Sequence, residues 1–118
     1  MTEKTLLIQQ QNDEFRKGMI VINSQESKIP GQYVITCGIT TLPLDDQAQI
    51  IYKVRSFNKF TEGDDPYGEH HFGAFDHNSQ KIFWKIDYYD TAFEYGSEDP
   101  SDLSQTRRVL TIMLAQEY

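Results

Sequence analysis

The chain has 118 residues, a mass of 13.8 kDa and a formal net charge of −7. This length predicts a single domain over residues 1–118, and an aromatic content of 13% favours a folded chain over a disordered one. One cysteine excludes an internal disulfide framework, and no apolar run reaches the roughly 18 residues of a membrane helix. Because the acidic balance also disfavours direct nucleic-acid binding, we expect a cytoplasmic protein without membrane, metal or cofactor.

The N-terminal half is predicted to hold two helices and two strands. Residues 3–17 fit a short helix that ends at a glycine, and β-prone residues predict strands over Met19–Asn23 and Tyr33–Cys37. A middle helix is predicted over Leu44–Phe57, since a proline precedes it and apolar residues recur at helical spacing. Its predicted buried stripe consists of Leu44, Ala48, Ile51 and Val54.

The C-terminal half is predicted to form a hairpin and a last helix. Residues His70–Asp76 and Lys81–Tyr89 alternate as strands around a polar turn. A last helix is predicted to begin after Asp99, with Leu103, Leu110, Met113 and Leu114 along one side. Val109–Leu114 is also apolar enough to be a buried strand, although the Asp-Pro start favours the helix. The predicted fold is therefore α+β, with a small antiparallel sheet of two N-terminal strands plus the hairpin, packed with about three helices.

The hairpin register can be predicted residue by residue. A turn centred between residues 78 and 79 pairs residues whose numbers sum to 157. On the expected core face, Gly73 lies opposite Trp84 and leaves room for its indole. On the other face, Asp76 lies opposite Lys81, and His70 lies opposite Asp87. That last pairing would orient the imidazole and favour its charged form.

Several stretches of the chain resemble the DUF3768 family, a set of small bacterial proteins of unknown function. The resemblance covers roughly residues 31–118 and rests on DPYGEH at 65–70, FGAF at 72–75, FWKIDYYD at 83–90 and RVLTIMLA at 108–115. The family supplies no reaction. It implies a small accessory protein of bacterial chromosomes, plasmids and phages, and so points towards mobile genetic elements.

The acidic residues concentrate in the second half of the chain. Residues 62–102 hold eleven of the eighteen acids and only two lysines, a net charge of −9, with tyrosines interleaved. Such a field steers a basic partner, and tyrosines add contact area at low entropic cost. We therefore expect a non-enzymatic interaction module whose basic partner handles nucleic acid, one candidate role being an inhibitor of a bacterial defence system of the anti-CRISPR or anti-restriction type. The predicted contact residues are Asp64, Asp65, Tyr67, Asp87, Tyr88, Tyr89, Asp90, Glu94 and Tyr95.

Two alternatives remain open from the sequence. The first is a small hydrolase or transferase that uses His70, Asp87 and Lys85 on one face of the hairpin. The second is a structural accessory protein that forms a homodimer through the aromatic residues Phe72 and Phe83. A metal site is not predicted, because the candidate ligands alternate between the two faces of a strand. Those candidates are Glu69, His70, His71, Asp87 and Asp90.

Overall fold

A computed structural model describes residues 2–19 and 29–118. The elements in chain order are α1 (Glu3–Lys17), β1 (Gly31–Ile35), α2 (Cys37–Thr40), α3 (Leu44–Arg55), β2 (Phe72–His77), β3 (Gln80–Tyr89), β4 (Arg107–Leu114) and a 3₁₀ turn (Ala115–Glu117). The strands form one sheet in the order β1-β4-β3-β2, with β1 parallel to β4 and the other neighbours antiparallel. The fold is α+β with a mixed four-stranded sheet. None of the helices in the described residues has the length and apolar character needed to cross a membrane.

The first and middle helices are confirmed, except that the middle helix ends at Arg55 rather than at Phe57 and that one residue of its buried stripe is exposed. Thr2 caps α1 by accepting a hydrogen bond from the Thr5 N–H, and Gly18 follows its last turn. In α3 the predicted core residue Leu44 is 80% exposed, whereas Ile50, Ile51 and Val54 are buried. Leu44 occupies the first position of the helix, ahead of the turns whose side chains enter the core.

The N-terminal strands differ from the prediction. The structure describes one of them, β1, which ends at Ile35 rather than at Cys37. The chain turns into α2 at Cys37 because the Glu117 carboxylate accepts hydrogen bonds from the Gly38 N–H and from the Thr36 hydroxyl. The other predicted strand, Met19–Asn23, lies outside the described residues except for Met19.

The predicted last helix is wrong, because residues 107–114 form β4. Their burial alternates with a period of two, and Arg108, Leu110 and Ile112 point into the core. The capping signal at Asp99 instead closes a tight turn, in which the carboxylate accepts from the Ser101 N–H and hydroxyl. Since β4 pairs in parallel with β1, the sheet is mixed rather than antiparallel.

The hairpin register is confirmed over β2 and the facing part of β3. Every pair from Phe72–Lys85 to His77–Gln80 follows the predicted sum of 157. The two-residue turn places Asn78 and Ser79 at φ values of 49° and 67°, as a hairpin turn of this length requires. The predicted ion pair between Asp76 and Lys81 is present at 3.9 Å.

The core lies between one face of the sheet and the helices α1 and α3. Trp84 is fully buried at its centre, where the ring of Phe57 meets the indole edge to face at 5.6 Å. A Cβ atom at Gly73 would collide with the indole of Trp84 and with the ring of Phe57. Gly73 is therefore required by packing, as the sequence predicted.

We expect Gly73→Ala to destabilise the fold by about 1–3 kcal/mol, because the extra methyl group overpacks the site around Trp84. The matched control is Gly63→Ala, since a Cβ atom at Gly63 meets no heavy atom within 4 Å. Urea denaturation monitored by tryptophan fluorescence measures both variants. Equal stability of the two variants would contradict this packing account.

Candidate functional site

The predicted pairing of His70 with Asp87 is wrong. Strand pairing on β2 begins at Phe72, and His70 adopts a φ of 58° outside the strand. Its Nδ1 lies 2.9 Å from a carboxylate oxygen of Asp13 on α1, and its ring stacks on Phe60 with a centroid distance of 3.8 Å. The backbone leaves the extended conformation because the buried carboxylate of Asp65 accepts the His70 N–H at 3.2 Å.

Asp87 instead pairs with Lys85 on the outer face of the sheet, at 2.9 Å. The hydrogen bond from Lys85 to Asp87 raises the pKa of the lysine, which therefore stays protonated near neutral pH. A permanently charged lysine is unsuited to act as a base or a nucleophile. The residues proposed for the enzymatic alternative, His70, Lys85 and Asp87, do not form a single catalytic cluster.

The side chains considered as metal ligands are also dispersed. Glu69 accepts a hydrogen bond from the Tyr88 hydroxyl at 2.8 Å, and the Nδ1 of His71 lies 3.5 Å from Asp65. The Asp90 carboxylate is engaged with backbone N–H groups of its own loop. Among residues 2–19 and 29–118, no three His, Cys, Asp or Glu side chains are grouped to hold a metal ion.

The sheet topology gathers two acidic loops at one end of the molecule. β3 is antiparallel to both β2 and β4, so its last residues lie where β2 and β4 begin. Loop 56–71 precedes β2, and loop 90–106 joins β3 to β4. Together the two loops, called here the acidic end, hold nine of the eighteen acids and a single lysine, Lys59. One of the nine, Asp99, also pairs with Lys4 of α1 at 3.4 Å.

The predicted contact residues divide between the surface and the interior. Tyr67 and Tyr95 are 75% and 72% exposed on the two loops of the acidic end. Asp64 and Glu94 are also exposed, while Asp87, Tyr89 and Asp90 are partly exposed. The Asp65 side chain is buried within loop 56–71, where it accepts backbone hydrogen bonds, and the Tyr88 hydroxyl points inward. Neither of these two side chains is available to a partner.

Loop 90–106 is held by its own carboxylates. Asp90 accepts from the N–H groups of residues 92 and 94, Asp99 binds Ser101, and Asp102 binds Ser104. The hydrogen bond from Ser101 lowers the pKa of Asp99, and the hydrogen bond from Ser104 lowers the pKa of Asp102. These bonds give an exposed segment a defined shape without a hydrophobic core of its own.

Helix α1 supports both loops through side-chain amides. Gln9 donates to the Gly68 carbonyl at 2.8 Å, Asn12 donates to the Glu69 carbonyl at 2.9 Å, and Gln11 donates to the Ser101 carbonyl at 2.9 Å. The first two carbonyls belong to loop 56–71 and the third to loop 90–106. The sequence prediction assigned no role to these amides, because their acceptors lie 57 to 90 residues away along the chain.

Arg108 joins the same network from β4. Its side chain is fully buried and donates to Asn12 Oδ1 at 2.6 Å, to Gln11 Oε1 at 2.9 Å and to the Pro100 carbonyl at 3.0 Å. Burial lowers the pKa of Arg108, and burial also raises the pKa of Tyr88, over whose ring the guanidinium lies at 5.2 Å. The network thus links α1, β3, β4 and loop 90–106.

Arg16 fixes α1 to α3 in a comparable way. The guanidinium is buried and donates to the Val54 and Arg55 carbonyls in the last turn of α3, at 2.8 and 2.9 Å. It also pairs with Asp13 at 3.0 Å and lies 5.2 Å from the Trp84 ring centroid. Asp13 is therefore shared between Arg16 and His70.

The fold and the acidic end define a small helix-on-sheet protein of the α+β class, with a polar network that supports two acidic surface loops. The family model described as "Protein of unknown function (DUF3768)" matches residues 35–117, most of the chain, and the protein belongs to this family. No curated protein and no solved structure matches the chain. Helix α1, which supports the acidic end, precedes the matched region.

We expect Asn12→Ala to destabilise the protein by about 2–3 kcal/mol, because it leaves the buried Arg108 Nε without its acceptor. It also removes the donor to the Glu69 carbonyl. The matched control is Gln10→Ala, an exposed amide on the same helix, which should change stability by less than about 0.5 kcal/mol. Urea denaturation compares the two variants, and a mild effect of Asn12→Ala would show that the network contributes little.

The lowered pKa values of Asp99 and Asp102 predict an acid dependence of stability. Their stabilisation is complete above about pH 4 and is lost as the pH falls through their folded-state pKa values. Asp99→Asn combined with Asp102→Asn keeps the capping oxygens but removes the titration. We therefore expect this variant to lose less stability than the wild type between about pH 6 and about pH 2.5.

The control for this acid experiment is Asp45→Asn combined with Asp64→Asn, which removes two exposed carboxylates elsewhere. This variant measures how much the removal of two surface charges alone changes the response to acid. Denaturation by urea at each pH gives the three curves. If the Asp99 and Asp102 variant followed the wild-type curve, the caps would not be the source of the acid dependence.

Proposed function

We propose that this protein is a non-enzymatic interaction module whose acidic end binds a basic protein that handles nucleic acid. The observation that carries the proposal is the convergence of two loops with nine acids and one lysine at one end of the sheet. Charge concentrated on one surface gives a directional field, which speeds association with a partner of opposite sign.

The exposed tyrosines support the same proposal. Tyr67 and Tyr95 are the most exposed aromatic residues of the two loops, and each projects from a segment that hydrogen bonds hold in place. A large side chain on a preorganised loop loses little conformational entropy on binding. Carboxylates and tyrosines together therefore suit a surface that contacts lysine and arginine side chains.

The charge of the acidic end supports the choice of partner class. A basic groove that binds phosphates also attracts a dense set of carboxylates. We propose that the acidic end occupies such a groove and excludes nucleic acid from it, acting by steric and electrostatic occlusion. A restriction enzyme or a CRISPR effector complex of a bacterial defence system is the partner we would test first.

The enzymatic alternative receives less support from the geometry. His70 lies apart from the Lys85–Asp87 pair, and the carboxylate that orients it comes from Asp13 instead. The imidazole is also stacked on Phe60 and helps to dock α1 against loop 56–71. These contacts give His70 a structural role that needs no substrate.

The test measures whether the protein displaces DNA from a purified restriction enzyme or CRISPR effector. We expect displacement at low salt, and a steep loss of affinity as NaCl rises from about 50 to about 300 mM. Replacing two exposed carboxylates of the acidic end, Glu94→Gln with Glu98→Gln, should weaken binding about tenfold at low salt. Fluorescence anisotropy of labelled DNA provides the measurement.

The matched control removes the same charge from the opposite end of the sheet. Asp45 and Asp76 are exposed near the hairpin turn, so Asp45→Asn with Asp76→Asn should change affinity less than about twofold. Binding that does not weaken with salt concentration would contradict occlusion by the acidic end. So would an equal loss of affinity in the two double variants. Failure to displace DNA from any basic protein tried would count against the proposed partner class.

A further inference from the structure

The strand β2 forms one edge of the sheet, and half of its backbone groups have no partner among the described residues. The hairpin turn closes at the His77–Gln80 pair, and the His71 carbonyl accepts from the Ile86 N–H at 2.8 Å. Because hydrogen-bonded positions recur every second residue, the odd-numbered residues of β2 face β3. The N–H and C=O groups of Phe72, Ala74 and Asp76 therefore point away from the sheet, and no described residue bonds to them.

β2 itself carries few of the features that usually prevent an edge strand from pairing. β2 has no proline, no lysine and no bulge, and its single charge, Asp76, lies near the turn. Natural edge strands without such protection are templates for another strand. The other two residues of β2 whose backbone groups point away from β3 are Phe72 and the small Ala74.

We propose that two copies of this protein pair through β2 in antiparallel orientation and form a continuous eight-stranded sheet. A two-fold axis at Ala74 places residues whose numbers sum to 148 opposite each other. Ala74 then faces the partner's Ala74, and Phe72 faces the partner's Asp76. All three outward-facing positions meet outward-facing positions, which gives about six hydrogen bonds between the copies.

The distribution of charge selects the antiparallel arrangement of a second copy. β2 begins at the acidic end, so parallel pairing would bring two acidic ends together. Antiparallel pairing places them at opposite ends of the shared sheet, where their repulsion is smallest. The two acidic ends are not covered in this dimer. The dimer proposal therefore does not depend on the proposed function of the acidic end.

The edge is a better candidate for self-association than the aromatic face suggested by the sequence. The rings of Phe72 and Phe83 already contact Tyr118 of the same chain, at 6.3 and 5.7 Å between centroids. The free groups of β2 have no such intramolecular partner among the described residues. Since one short strand pair buries less than a standard interface, we expect a dissociation constant of about 1–100 µM.

Charge substitutions at Ala74 test the proposal. Two Ala74→Lys chains, or two Ala74→Glu chains, would place like charges opposite each other at the two-fold axis. We therefore expect each variant alone to raise the dissociation constant at least about tenfold, and an equal mixture of the two to form a heterodimer. Analytical ultracentrifugation of each protein and of the mixture measures this.

The matched controls are Gln32→Lys and Gln32→Glu on β1, the strand at the opposite edge of the sheet. Both should dimerise as the wild type does. A wild type that stays monomeric up to about 1 mM would overturn the proposal. So would a dimer that tolerates both charges at Ala74, or one that is lost in the Gln32 variants.

Amide hydrogen exchange gives a second readout that does not depend on substitutions. In the dimer, the N–H groups of Phe72, Ala74 and Asp76 should be protected, and dilution to the monomer should release them. The N–H groups of Gly73 and Phe75, which face β3, should be protected at every concentration. Equal exchange at the outward positions in concentrated and dilute samples would place any dimer contact elsewhere.

Discussion

Buried hydrogen bonds between α1 and Arg108 hold the first helix against β4. A guanidinium taken out of water needs acceptors, and Asn12 and Gln11 provide two of them from α1. The same two amides donate to carbonyls of the two acidic loops. One network therefore fixes the helix, positions β4 relative to it, and sets the shape of the surface at that end of the sheet.

This arrangement separates the tasks of stability and interaction. The apolar core around Trp84 lies between the helices and one face of the sheet, and Phe57, Phe60 and Leu103 attach the acidic loops to it. The carbonyls of the same loops accept hydrogen bonds from α1, so packing and polar contacts together fix a backbone that carries many like charges. The free edge of β2 lies to the side of this surface, so self-pairing and partner binding would use different parts of the molecule.

The sequence predicted what local patterns encode and missed what distant contacts decide. The hairpin register follows from a two-residue turn and from alternation, so Gly73 opposite Trp84 was predictable. β4 was predicted as a helix because an Asp-Pro start is typical of helices. The strands that pair with Val109 and Ile112 are distant in sequence, so local patterns do not indicate them. His70 was paired with Asp87 because the hairpin register was extended to residue 70. The observed partner, Asp13, is 57 residues away in sequence and could not be inferred from the hairpin. The excess of acidic residues in the second half of the chain was visible in the sequence. Their position at one end of the sheet could be seen only once the strand order was known.

Hydrogen exchange of the two acidic loops tests the central role of α1 most directly. Gln9→Ala combined with Gln11→Ala removes the donors to Gly68 and Ser101, while Gln10→Ala removes an exposed amide from the same helix. We expect exchange in loops 56–71 and 90–106 of the double variant to rise about tenfold more than exchange in β3, and the single variant to exchange as the wild type does. Unaltered exchange in both loops of the double variant would contradict the claim that α1 holds the acidic end.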